Sequence, residues 1–243
     1  TVSQDGKSVY AAVFNSGNQT TVIHEGVMCY GFADDDPNAF YSGARACSVK
    51  DGISPANGLP YGALPGGRPA PGWNVDGAPQ PWTSMIVKYD QTDGQLQDTL
   101  GRIFSNGVRF HLPDHDVFEI DAETLTLTRS FPHVGTTLFN MVVNPVNGDV
   151  YVSNTDASNH IRFEGPGRHG GSTVQGQIAK AQITTINQSG VTVQPLNTHI
   201  DYSVLKASDT VKQHSIATPL DMAVTRDGST LYVAALGSDK VAV

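Results

Sequence analysis

The sequence has no apolar run near the ~20 residues a membrane-spanning helix needs. It also has no cluster of basic residues. Lysine and arginine number 15 against 23 acidic residues, a net charge of −8, so the basic footprint that nucleic-acid binding requires is missing. No long stretch pairs helical periodicity with good helix formers, which sets aside a helical bundle. Cysteine is scarce: Cys29 and Cys47 stand alone, 18 positions apart. Their spacing is not that of a zinc CxxC pair, and no second pair exists to complete one. A disulfide between them is expected, closing a loop at a gain of about 3 kcal/mol if unstrained, and with it an oxidising compartment. The chain has neither a starting Met nor a signal peptide and opens inside a hairpin, so a processed or partial segment is expected.

What is abundant is glycine, at 25 residues, and proline, at 14, in a chain that is 39% hydrophobic. That profile suits an all-β protein with many turns. Three stretches repeat one another: "TVSQDGKSVYAAVF" from Thr1, "VVNPVNGDVYVSNT" from Val142 and "AVTRDGSTLYVAAL" from Ala223. Each reads as apolar strand, tight polar turn, apolar strand. Asp5-Gly6, Asn147-Gly148 and Asp227-Gly228 hold the turns, because these dipeptides accept positive φ. Tyr10, Tyr151 and Tyr232 share one register.

Further strands follow each hairpin: "NQTTVI" after the first, "AQITTIN" after the second, "DKVAV" after the third. Repeated four-stranded meanders at a period of roughly 40 residues read as blades of a β-propeller, with central strands apolar on both faces because blades stack. The expected pieces are a half blade at 1–23, an irregular blade at 84–121, and blades at 122–186 and 187–243. The stretch "DVFEIDAETLTLTRSF" is read as an outer strand passing into the next blade's first strand. The whole, 1–243, is expected to be one partial propeller domain of three to four visible blades, out of about seven in a closed ring. A half ring would leave open β edges, so a chain longer at both ends is expected. Insertions at 24–83, 160–177 and 198–217 interrupt the repeat. Loops at channel ends are where propellers carry function.

The strings "NPVNGDVYVSNT" and "DGSTLYVAALGSDKVAV" resemble the YVTN-type β-propeller repeat of exported and surface-layer proteins. The longer strings "LPDHDVFEIDA", "FPHVGTTLFNMVVNPVNGDVYVSNTDASNHIRFEGPG" and "SIATPLDMAVTRDGSTLYVAALGSDKVAV" are similar to the front part of large bacterial exported proteins. In that group a c-type cytochrome region, similar to di-haem cytochrome c peroxidases, follows the propeller. The resemblance covers roughly residues 84–243 plus the first 23. It implies an extracytoplasmic (periplasmic, cell-surface or secreted) binding and scaffolding module. That module would dock onto its own missing blades, a C-terminal haem domain or another protein. The haem attachment motif CxxCH is absent from this chain, so any c-type haem belongs to a downstream region. Two other functions stay open: a metal-dependent, lactonase-like hydrolase working in the propeller channel, and a surface-layer or adhesion protein without catalysis.

"RFHLPDHDVFEID" gathers His111, Asp114, His115, Asp116, Glu119 and Asp121, good metal-ligand types. The strand-like alternation favours turn and surface roles over a metal site, and Asp121 sits where an Asp side chain accepts backbone N–H groups. Asp34, Asp35 and Asp36 are weak calcium candidates, lacking the glycine and glutamate of an EF-hand loop. Arg162, Glu164, Arg168 and His169 lie on the glycine-rich "RFEGPGRHGGS" and are candidate partner contacts. That loop lacks the phosphate-binding GxxxxGK[ST] pattern. His133, in "FPHVGTT", is read as a hydrogen-bonded structural residue near the channel axis. No nucleophile signature such as GxSxG occurs, and no catalytic residue is assigned.

Overall fold

The computed structural model describes residues 1–23, 85–98, 112–160, 177–202 and 207–243, with residues 101, 103–105, 108, 110 and 204. The described chain is mostly β, with thirteen strands and one short α-helix. Its sheets are antiparallel throughout. No helix among the described residues is long and apolar enough to cross a membrane. The chain forms two compact units. The first takes Thr1–Asn18, Pro113–Ser158 and Gln177–Val243; the second takes Gln19–Leu112 and Asn159–Gly176.

Three sheets make up the first unit. The four-stranded one follows the expected meander: β7 (Thr137–Val143), β8 (Val150–Ala157), β9 (Ala179–Asn187) and β10 (Gly190–Pro195), each paired with the next. A second holds β11 (Pro219–Val224), β12 (Leu231–Ala235) and β13 (Lys240–Ala242). The third joins β1 (Ser8–Ala12) to β5 (Val117–Asp121) and β6 (Leu127–Phe131), in the order β1-β5-β6.

This third sheet corrects two expectations. β5 and β6 form a hairpin within one sheet, so "DVFEIDAETLTLTRSF" does not cross from one sheet to the next. The strand "NQTTVI" does not continue the first hairpin either. It is β2 (Thr20–Ile23), which pairs with β3 (Met85–Asp90) in the second unit, while β1 pairs with β5. The local cause lies just after β1. Gly17 (φ 85°) and Gln19 (φ 55°) both take the left-handed conformation, which turns the chain off the line of a returning strand. Glu119 supplies side-chain bonds for the long-range pairing, accepting from Ser8 Oγ at 2.9 Å and Tyr10 OH at 3.4 Å.

The three turns behave alike. Gly6, Gly148 and Gly228 have φ of 72°, 78° and 71°. Each donates its N–H to a carbonyl at the start of its turn: Ser3, Asn144 and Thr225. Asp5 and Asp227 accept from neighbouring hydroxyl and backbone groups, which hold both carboxyls below the usual range.

One apolar core joins two sheets of this unit. Val117 and Phe131 of the β1-β5-β6 sheet pack with Leu138, Val150, Val152 and Ile186 of the β7–β10 sheet, and Val134 of the link between them completes the cluster. Burying such side chains contributes about 1.5–3 kcal/mol each. β11 lies against β7 and β8, where Ser153 Oγ donates to the Leu220 carbonyl at 2.6 Å and Asn140 Nδ2 to Asp221 at 2.6 Å. The second unit has its own sheet, β2-β3-β4, in which β4 is Gln95–Gln97. Ile23, Val87, Leu96 and Phe104 are buried in that unit.

Candidate functional site

Strand direction sorts the connections of the first unit between two ends. At one end lie the tight turns that carry Gly6, Gly148 and Gly228. At the other, β1 ends beside the start of β5, and β8 ends beside the start of β9. The interruptions at 13–116 and 158–178 both leave from that second end. So does the 196–218 link, which carries helix α1 (Asp209–His214), because β10 ends and β11 begins there. α1 is capped by Ser208, whose Oγ accepts the Val211 N–H at 3.3 Å.

A polar cluster sits at this end. The extended lead-in to β5 alternates its side chains. Asp116 is fully buried and the Asp114 side chain is 6% exposed, whereas His115 is exposed and stacks near Phe118. The link between β6 and β7 wraps over the two carboxyls. Asp116 Oδ2 accepts from the N–H groups of Val134 at 2.6 Å and Gly135 at 3.2 Å. Asp114 Oδ2 accepts from His133 twice, from its backbone N–H at 3.1 Å and its Nδ1–H at 2.5 Å. His133 has a φ of 63°, a conformation uncommon outside glycine, and Asp114 clamps it there. The other oxygen of each carboxyl, Oδ1, is buried and meets no protein donor. Burial raises the Asp116 pKa to about 7, and the neighbouring Asp114 carboxyl adds to the rise.

Behind this layer runs a buried network between β8 and β9. Gln182 Nε2 donates to Asn154 Oδ1 at 2.7 Å, Asn154 Nδ2 to Thr184 Oγ1 at 2.9 Å, and Thr184 Oγ1 to the Val134 carbonyl at 2.8 Å. Asn154 and Thr184 are fully buried. The central strands are therefore not apolar on both faces, as the sequence reading expected. Gly135 has no room for a side chain, since an added Cβ would overlap Asn154. Thr136 Oγ1 and Asn18 Nδ2 both donate to Asp156, tying the segment after β1 to the end of β8. Asn18 belongs to a sequon, and its amide is engaged here and with the Ala157 carbonyl.

The structure brings Asp114 and Asp116 together with His133 and leaves His115 on the opposite face. Among the described residues no group of three His, Cys, Asp or Glu side chains is placed to hold a metal ion. Asp121 takes its expected turn role, accepting from the N–H groups of Thr124 at 2.7 Å and Glu123 at 3.0 Å. Glu119 faces β1 and lies 4.0 Å from Arg129, whose guanidinium stacks over Phe131. Cys29, Cys47, Asp34, Asp35, Asp36, His111, Arg162, Glu164, Arg168 and His169 lie outside the described residues. The Asn154–Gln182–Thr184 network was missed by the sequence reading. Its signal was an Asn and a Gln inside strand-forming runs.

No protein-family model matches the chain, and no curated protein matches it. Among solved structures, hydrazine synthase of Kuenenia stuttgartiensis is similar at 17% identity with a TM-score of 0.40, over 64% of this chain and 44% of that one. The chain thus spans less than half the length of the protein it resembles in structure.

Proposed function

We propose that the three sheets of the first unit are neighbouring blades of a β-propeller. In this reading the chain is the binding and scaffolding module of a larger extracytoplasmic redox protein. Stacked antiparallel sheets with repeated turns support the propeller reading, together with the YVTN-like strings. The docking role rests on one observation: the long interruptions all leave one end of the sheets, opposite the tight turns. A module that gathers its variable segments at one end presents them together to a partner. Arg162, Glu164, Arg168 and His169, on the glycine-rich interruption between β8 and β9, are the proposed contacts. The cysteines of this chain do not fit c-type haem attachment, so the haem of this reading lies in a further region of the same protein or in a partner.

A reduced-minus-oxidised visible spectrum of the native full-length protein tests the reading. Sharp c-type bands are expected. A featureless spectrum removes the redox assignment and leaves a scaffold or adhesion role.

A further inference from the structure

We propose that Asp114 and Asp116 share one proton, so that the two carboxyls form an O–H···O hydrogen bond that latches the start of β5 beneath the β6–β7 link. One oxygen of each, Oδ2, is already supplied with N–H donors, from His133 for Asp114 and from Val134 and Gly135 for Asp116. The other oxygen of each is buried without a protein donor. Two positions apart on one extended lead-in, the two side chains fall on the same face, and the Asp114 carboxyl adds to the rise in the Asp116 pKa. Two neighbouring buried carboxyls are costly as a pair of anions. One proton satisfies both at once.

A cation is the other species that could sit between them. Calcium takes about six to eight oxygens, and this pocket offers two free ones, closed from solvent. The surrounding groups fit the proton. His133, on the β6–β7 link, is engaged with Asp114. Ser16, on the segment after β1, donates to the Gly135 carbonyl at 2.8 Å. Asp156, at the end of β8, is turned to Thr136 and Asn18. His115 is on the other face, and Arg129 of β6 faces Glu119. The latch is thus closed when protonated. The folded-state pKa of Asp116 is about 7, above its ordinary value of 3.8. Stability from the shared proton is therefore fully present below about pH 4 and is lost as pH rises to about 7.

The substitution Asp116→Asn tests this. An amide oxygen still accepts from Val134 and Gly135, and its N–H₂ supplies permanently the donor that the proton supplies reversibly. The urea midpoint of the wild type is expected to fall between about pH 5 and about pH 8. The variant is expected to lose that share of the slope and to be the more stable form at the alkaline end. Equal slopes in the two proteins would overturn the proposal. A carboxyl ¹³C NMR titration of the native protein reads the same point without substitution: a pair midpoint near 7 is expected, and both carboxyls ionising in the ordinary range would overturn it. Stabilisation of the wild type, but not of the variant, by millimolar calcium at alkaline pH would assign the pair to a cation and overturn the shared proton.

Discussion

At the scale of single residues, the same side chain does different work according to what surrounds it. Asp5, Asp121 and Asp227 are exposed and accept turn hydrogen bonds, which lower their pKa values. Asp116 is buried beside another carboxyl, and its pKa rises. The lowered group contributes stability that is present above the ordinary carboxylate pKa and is lost as pH falls through the folded-state value. Replacing Asp227 with Asn should therefore flatten part of the stability loss below about pH 4, read as urea midpoints across that range, and leave the neutral region unchanged. A second prediction concerns close packing. Gly135→Ala would push a methyl into Asn154 and should cost about 1–3 kcal/mol in denaturant unfolding. The turn aspartates were legible from the sequence because their partners are two or three positions away. The hold of Asp114 on His133 was not, because that contact spans 19 positions and depends on where the β6–β7 link returns.

At the scale of elements, the hairpins were readable and the partners of their outer strands were not. Strand, turn and strand sit within 14 residues, so local chemistry decides them. β1 instead waits for β5, more than a hundred positions later, and adjacency in sequence pointed wrongly to β2. The β7–β10 sheet carries the largest share of the shared core, and Leu138 is 2% exposed there. Leu138→Ala should destabilise the protein by about 2–5 kcal/mol, measured by urea denaturation. The β8–β9 connection leaves and returns at adjacent points, since Ala157 pairs with Ala179 and the Ser158 N–H donates to Ile178 at 2.8 Å. Replacing 160–176 with a short Gly-containing turn should therefore preserve the far-ultraviolet circular dichroism of the sheets, as β hairpins need only a few connecting residues. If the proposed docking role is right, that shortened protein binds its partner more weakly while its sheets remain folded.

At the scale of the whole molecule, the chain runs two compact units from one polypeptide, with the second drawn from two separated stretches. Loop-closure entropy grows slowly with length, which is how a sheet tolerates so long an excursion between β1 and β5. The disulfide expected between Cys29 and Cys47 lies outside the described residues and is tested chemically. Thiol titration of the unreduced, denatured protein should find no free thiol, and two after reduction.

The sequence by itself determined that the protein is all-β, where its tight turns fall, and which tyrosines and aspartates repeat. These depend on backbone preferences and on neighbours a few residues apart. Tertiary structure alone decided that β1 joins β5, that Asn154, Gln182 and Thr184 form a buried network, and that the β6–β7 link supplies N–H donors to Asp114 and Asp116. Those outcomes depend on which distant surfaces are desolvated together, and the order of residues along the chain does not say which of them will meet.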